Sequence, residues 1–262
     1  MSTEVLIATM HQQDHALLEK MNISSAALVG NQCDRNEVES FVYNGNPVTY
    51  YSFAERGVGL NRNNLLMRAT ADLCVFADDD MVFYDGYQQT IEQIFAQLPD
   101  ADVLCLNIDD EPRIRPVNRK IFRVRWYNYG RYGGARIAIR REPVIRNGIF
   151  FNLSFGGGAQ YSQGEDTLFL FDCLKKKLRI YAVPVTVAKL LESRESTWFR
   201  GYTDKFFFDK GVYYGCMHFW LSPLLGLYYC VRYAKRYRKN FSWLHAYRQM
   251  LAGMRSCRSG RC

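Results

Sequence analysis

Four short apolar runs, VLIA from Val5, AALVG from Ala26, LCVFA from Leu73 and DVLCLNI from Asp102, alternate with polar or amphipathic segments through the first half of the chain. Runs of this length predict buried strands, and their alternation with helical segments predicts an α/β sheet that is at least partly parallel. Helical spacing covers Gln13 to Met21 and Gly86 to Gln97, the latter turning Tyr87, Ile91, Ile94, Phe95 and Leu98 toward a core. Pro99-Asp100 predicts its end. A third helical stretch, Asn61 to Ala71, turns Leu65, Leu66 and Ala69 inward.

The middle of the chain has a different period. IFRVRWYNYG and ARIAIRR alternate apolar and polar residues two by two around Gly133-Gly134, which predicts antiparallel strands with one wet face. FGGGAQYSQGEDTLFLFDCLKKKL then reads as a glycine-rich loop entering a helix near Asp166, followed by the strand IYAVPV. Beyond Leu190 aromatic residues are frequent without a clean period, and this segment is expected to wrap the main domain. The run CMHFWLSPLLGLYYCV from Cys216 leads straight into RYAKRYRK. Its sixteen residues fall short of the ~20 needed to span hydrocarbon. It is expected to lie in the membrane interface with Arg232, Lys235, Arg236, Arg238 and Lys239 near anionic headgroups. The alternative is a core-packed helix with a solvated basic end. These readings place a main domain at residues 1–210 and a membrane-associating extension at 211–262.

Composition narrows the classes. With 48% hydrophobic residues in 262, the chain is too apolar to be disordered and long enough for a substantial core. A net charge of +8 points to an anionic partner: nucleic acid, an acidic membrane surface or a phosphorylated substrate. The N-terminus lacks the basic residues and long apolar run of a signal peptide. The eight cysteines form no paired CxxC motif and read as reduced thiols of a cytoplasmic protein.

The candidate chemistry gathers at VFADDDM, where three carboxylates follow a strand. Alternation along a strand sends Asp78 and Asp80 one way and Asp79 the other. The cluster falls at a strand's carboxyl end, where open α/β sheets bind ligands. A divalent cation shared with substrate phosphates would offset the repulsion; the alternative is a solvated strand end capping a turn. Arg62, read at the first turn of its helix, sits where a guanidinium and exposed backbone N–H groups both favour phosphate. Glu165-Asp166 at a loop-to-helix junction can be a helix cap. Capping leaves Gly156-Gly157-Gly158 unexplained, and glycines let backbone approach a ligand closely. His218 is a packed histidine or a third metal ligand. Trp198 and Phe199 either stack on a sugar ring or pack.

In order along residues 4 to 210, VLIATMHQQD, GVGLNRNNLLMRATADLCVFADDDM and GGGAQYSQGEDTLFL resemble the successive signatures of family 2 inverting glycosyltransferases with the GT-A fold. The segment ESTWFRGYTDKFFFDKG resembles bacterial members that build capsule, exopolysaccharide or O-antigen. The resemblance implies a Rossmann-like, mostly parallel sheet flanked by helices, with an aromatic and basic C-terminal extension. It implies a nucleotide-diphosphate sugar donor, a glycan or lipid-linked acceptor, manganese or magnesium, no nucleic acid, and a place at the inner face of the cell membrane. Carried over by residue, Asp78 faces the nucleoside and Asp80 coordinates the metal. Arg62 contacts the diphosphate, and Thr9 and Asp79 line the nucleotide pocket. Asp166 is the catalytic base, with Glu165, Gly157 and Trp198 on the acceptor side. Where the family has an acidic residue after its second strand, this chain reads Gly30-Asn31-Gln32-Cys33-Asp34, so an amide such as Gln32, or Asp34, takes that part. Two other classes stay open. One is a sugar nucleotidyltransferase, whose glycine-rich N-terminal loop IATMHQQD lacks. The other is a non-enzymatic basic module binding nucleic acid or membrane, favoured by the interleaved aromatics and arginines of RVRWYNYGRYGGAR.

Overall fold

The computed structural model describes residues 1–110, 116–191, 201–218 and 220–258. The chain forms two compact units, one of Met1–Asn152 with Asp166–Arg194 and one of Leu153–Glu165 with Glu195–Cys262.

The first unit is a mixed α/β fold on a mostly parallel sheet flanked by helices. Its strands are β1 (Thr3–Met10), β2 (Ala26–Gln32), β3 (Glu37–Tyr43), β4 (Asn46–Phe53) and β5 (Leu73–Asp78), then β6 (Met81–Phe83), β7 (Val103–Asp109), β8 (Phe122–Arg123), β9 (Ile137–Arg140) and β10 (Ile180–Leu190). They lie in the order β3-β4-β2-β1-β5-β9-β7-β10-β6, with β8 added to β10. Strands β4, β2, β1 and β5 are mutually parallel, as are β7 and β10. The helices are α1 (Ala16–Lys20), α2 (Val58–Arg68), α3 (Tyr87–Gln97), α4 (Arg141–Arg146) and α5 (Glu165–Lys175), whose first residue belongs to the second unit. The four apolar runs became β1, β2, β5 and β7, buried along most of their lengths. As spaced in the sequence, α3 buries Tyr87, Ile91, Ile94 and Phe95.

The sequence reading missed one hairpin and mispaired another. Strands β3 and β4 join through Asn44 and Gly45 at φ 47° and 77°, the left-handed pair that a tight hairpin turn requires. In the middle of the chain the two alternating segments do not pair with each other. Instead β8 pairs with β10, and β9 inserts antiparallel between β5 and β7. No face of β9 is wet: Ile137, Ala138 and Ile139 are all buried. The flanking arginines that mimicked a solvent face reach backbone carbonyls, Arg136 Nε donating to Leu106 O at 2.7 Å and Arg140 Nε to Ala101 O at 2.8 Å. A two-residue alternation reads the same whether its guanidinium meets water or a buried carbonyl.

The second unit holds α6 (Asp204–Met217), α7 (Ser222–Arg232), α8 (Ala234–Tyr237) and α9 (Trp243–Arg258). Thr203 caps α6, its hydroxyl accepting from Phe206 N at 3.1 Å. The helix runs through position 210, where the sequence suggested a domain boundary. The apolar run from Cys216 is not one element. Helix α6 ends at Met217, and α7 restarts at Ser222 with a proline in its first turn. Among the described residues no helix is long and apolar enough to cross a membrane. Phe206, Phe207, Cys230, Tyr237, Ala246, Met250 and Met254 form this unit's core.

Helices α6 and α9 approach to backbone contact. A Cβ on Gly211 would lie 2.1 Å from Met250 O, and one on Gly253 would lie 2.1 Å from Phe208 O. Those obstacles are main-chain atoms, so the helices themselves would have to separate. Gly253→Ala is therefore expected to destabilise the protein by about 3 kcal/mol, the upper end of ordinary overpacking. Urea unfolding followed by circular dichroism measures this. Gly157→Ala, whose Cβ would meet nothing within 4 Å, serves as the neutral control.

Candidate active site

Helix α2 begins at Val58 after Gly57, whose φ of 127° turns the chain into the helix. Arg62 thus stands one turn inside the helix, not at the free N–H groups of its first turn. Its neighbours explain why so polar a stretch is buried. Asn61 Nδ2 donates to Gly30 O at 2.6 Å, and Asn63 pairs with both backbone groups of Phe151 at 2.8 Å. The Arg62 side chain is only 3% exposed and lies over the Phe151 ring at 5.3 Å. From there Nη2 donates to Asp78 Oδ1 at 2.6 Å and Nη1 to Asp166 Oδ1 at 2.7 Å. A Cβ on Gly134 would lie 2.6 Å from both Arg62 Nη1 and Asp166 Oδ1, so only glycine leaves room for this pair. Part of the positive charge that the carboxylate cluster demands is therefore Arg62 itself.

Asp166 follows the first residue of α5, and the Gly134 backbone N–H supports its carboxylate. Burial raises its pKa above the ordinary value; Arg62 opposes this and the like charge of Asp78 adds to it. Such a carboxyl is a better proton acceptor than a solvated one.

The three consecutive aspartates do not follow strand alternation. Strand β5 stops at Asp78, Asp79 and Asp80 form a turn, and β6 starts at Met81. Asp78 meets Arg62. Asp79 and Asp80 both line a cavity of about 380 Å³ with Gln12 and Lys20. Asp79 is buried and accepts from the Thr9 hydroxyl at 2.6 Å; Gln12 Nε2 donates to that hydroxyl at 2.9 Å. Asp78 thus turns to Arg62 while Asp79 and Asp80 share a cavity wall, because the turn removes the period of two. Among the described residues no three His, Cys, Asp or Glu side chains converge as a complete metal cage. The donor set still suits a hard cation: two carboxylates give oxygen ligands, and such ions fill the remainder with water and phosphate oxygens.

A second cavity, of about 210 Å³, is bounded by Gln12, His15, Asn31, Arg35 and Tyr50. Asn31 holds the backbone of Gln12 from both sides, at 2.9 and 3.0 Å. His15 stacks on Phe41 at 4.3 Å and lies 4.7 Å from Tyr50, whose buried hydroxyl is pushed well up in pKa by desolvation. Sequence reasoning named neither His15, Asn31 nor Tyr50 as site residues. The only signal was the adjacent amides Asn31 and Gln32 placed where an acid was expected, and of the two Asn31 lines this cavity. Gln32 does not face this cavity wall; its amide oxygen accepts from Gly57 N at 2.7 Å and braces the entry to α2.

Of the acceptor-side expectations, Glu165 opens α5 and Gly157 lies in the second unit's glycine loop. The loop's left-handed positions are Gly156 and Gly158, at φ 102° and 80°, whereas Gly157 faces open space. Trp198 and Phe199 lie outside the described residues. His218 caps the C-terminal end of α6, with its backbone N–H donating to Tyr214 O at 3.0 Å.

The chain, with carboxylates at the ends of parallel strands in its first unit, has the mostly parallel α/β fold of solved glycosyltransferases. The solved structures of S. aureus TarS residues 1–349 superpose on it, in complex with UDP (TM-score 0.64, 12% identity, 99% of this chain and 87% of that one) and with UDP-GlcNAc (TM-score 0.61, 13% identity, 99% and 92%). The mannosyltransferase PcManGT from Pyrobaculum calidifontis, in complex with GDP-Man and Mn2+, matches with TM-score 0.51 and 15% identity over 97% of this chain and 75% of that one. No protein-family model matches the chain, and no curated protein sequence does.

Proposed function

We propose that this protein is an inverting glycosyltransferase of the family 2 type. It moves a sugar from a nucleotide-diphosphate donor to a hydroxyl of a glycan or lipid-linked acceptor in bacterial surface polysaccharide synthesis. The observation that carries the reading is the bridge of Arg62 between Asp78 and Asp166, inside a fold shared with transferases solved with such donors.

Asp166 takes the acceptor hydroxyl proton as the oxygen attacks the anomeric carbon. The bond from that carbon to the diphosphate breaks on the opposite face, so configuration inverts. Arg62 exchanges a carboxylate for the diphosphate oxygens, where a guanidinium gives two parallel hydrogen bonds. Thr9, Asp78 and Asp79 line the nucleotide side. The cavity beside Asn31, Arg35 and Tyr50 takes the base, while Gln32 braces the entry to α2. Asp80, with Asp79, would hold manganese or magnesium, which offsets charge on the departing diphosphate when bound. Glu165, Gly157 and Trp198 serve the acceptor. Arg232, Lys235, Arg236, Arg238 and Lys239 hold the enzyme at the anionic cytoplasmic face of the membrane.

A thermal-shift screen of nucleotide-diphosphate sugars with manganese or magnesium tests the reading. Stabilisation by a donor only in the presence of a cation is expected, with Asp80→Ala losing the cation-dependent part. Equal stabilisation in excess chelator removes the metal assignment. Pyrophosphate release from sugar phosphate and a nucleoside triphosphate would replace the transferase with a nucleotidyltransferase.

A further inference from the structure

Helix α7 turns its small side inward and its large apolar side outward. Its buried positions are Ser222, Gly226 and Cys230, a stripe four residues apart. The opposite face carries Leu221, Leu224, Tyr228 and Val231, exposed by 54, 66, 63 and 58%, with Trp220 at 84% just before the helix. Spacing of this kind normally marks the face that packs on a core. Packing fixes the orientation: a Cβ on Gly226 would already lie 2.6 Å from Met254 Cε, and Cys230 Sγ sits 3.4 Å from Met250 Sδ. A leucine turned inward would find no room there.

The charge of the chain is gathered beside this face. Residues 210 to 262 contain ten lysines and arginines and no aspartate or glutamate. The remaining 209 residues hold 24 basic against 26 acidic side chains, so the whole excess of +8 arises in this segment. Arg232, Lys235, Arg236, Arg238 and Lys239 follow the apolar face directly and are all exposed. A large apolar face bordered by aromatics and basic groups matches the layered chemistry of an anionic lipid surface. A second copy of the chain would bring like charges together, and a nucleic acid offers nothing to leucine and valine at this face. At eleven residues, about 17 Å, α7 is too short to cross hydrocarbon.

We propose that α7 docks in the plane of an anionic bilayer, with Leu221, Leu224, Tyr228 and Val231 entering the acyl boundary and the basic residues holding headgroups. The proposal deepens the membrane part of the function above and names insertion, not charge alone, as what retains the protein; it is independent of sugar transfer. The test is flotation of the full chain with vesicles of phosphatidylcholine alone or with added phosphatidylglycerol. Parent protein is expected to float with the anionic vesicles. Leu224→Ser combined with Tyr228→Ser is expected to lower partitioning about tenfold or more, on the scale of the apolar area removed. Its thermal midpoint should stay within a degree or so, since both side chains are exposed. Neutralising the five basic residues should abolish the preference for phosphatidylglycerol. Parental flotation by the serine variant, or a parent dimer that this variant dissolves, overturns the proposal, as does parent binding only to single-stranded nucleic acid. Donor-induced thermal shift is read on the same samples. Its absence with normal flotation removes the transferase reading alone, and its presence without flotation removes only the membrane docking.

Discussion

Asp166→Asn is expected to leave donor binding close to parental while turnover falls by roughly 10²-fold or more, the usual scale for losing a general base. A sugar hydroxyl is a weak nucleophile at neutral pH, so its proton must leave as the new bond forms. Asparagine keeps the shape of the side chain beside Gly134 and can still accept from Arg62, so the local fold should hold. It cannot take the proton. The parent should lose activity as pH falls through the Asp166 pKa, because only the ionised carboxylate accepts a proton. Burial raises that pKa, so the acid limb should lie above the range of a solvated aspartate. Single-turnover rates across pH, with product anomer assigned by NMR, measure both points. Turnover near the parent rate would leave Asp166 a structural cap, and retention of configuration would remove the single displacement.

The parts of the fold legible in the sequence are those where one period dominates. Strands β1, β2, β5 and β7 are nearly all apolar because parallel strands are covered on both faces. Helix α3 shows a clear apolar stripe. The hairpin β3–β4 was legible only through Asn44-Gly45, since its outer strand is too exposed to carry a hydrophobic run. The placement of β9 between β5 and β7 was not legible, because pairs such as Leu73 with Arg140 and Val103 with Ile139 lie far apart in sequence and leave no local trace. Helix α7 was misleading for a physical reason: Leu224 and Tyr228 look like core residues, and only Gly226 and Cys230, packed on α9, show which side turns inward.

At the site, residue types were legible and their partners were not. The three aspartates, Arg62 and Glu165-Asp166 stand out in the sequence as charges in apolar company. That Asp78 turns to Arg62 while Asp79 turns to Thr9 depends on where β5 stops, and no spacing rule encodes that. Gln32 and Asn31 are adjacent amides, and their division of labour follows from strand parity: Asn31 reaches Gln12 while Gln32 reaches Gly57.

Arg62→Met should have the largest effect of any single change, because one guanidinium serves two carboxylates and, in the proposed reaction, the donor as well. Without it, only the Gly134 backbone N–H still opposes burial and the like charge of Asp78 at Asp166, whose pKa already lies above its ordinary value. The acid limb of turnover then moves to higher pH, since the base is lost as pH falls through a higher pKa. At neutral pH turnover should fall roughly 10³-fold, about two decades from the base and one from a charge-assisted hydrogen bond to the diphosphate. The fold should suffer less. Removing one partner of a fully buried pair costs about 3–5 kcal/mol. Here Asp78 and Asp166 are 39% and 23% exposed, and methionine can keep its contact with Phe151, so about 1–2 kcal/mol is expected. Arg62→Lys restores the charge but cannot span both carboxylates, and should recover the pH profile more than the rate. The measurement is the pH dependence of turnover beside donor-induced thermal shift for both variants. An acid limb that stays in place while turnover falls would show that Arg62 serves the donor alone and does not set the ionisation of Asp166.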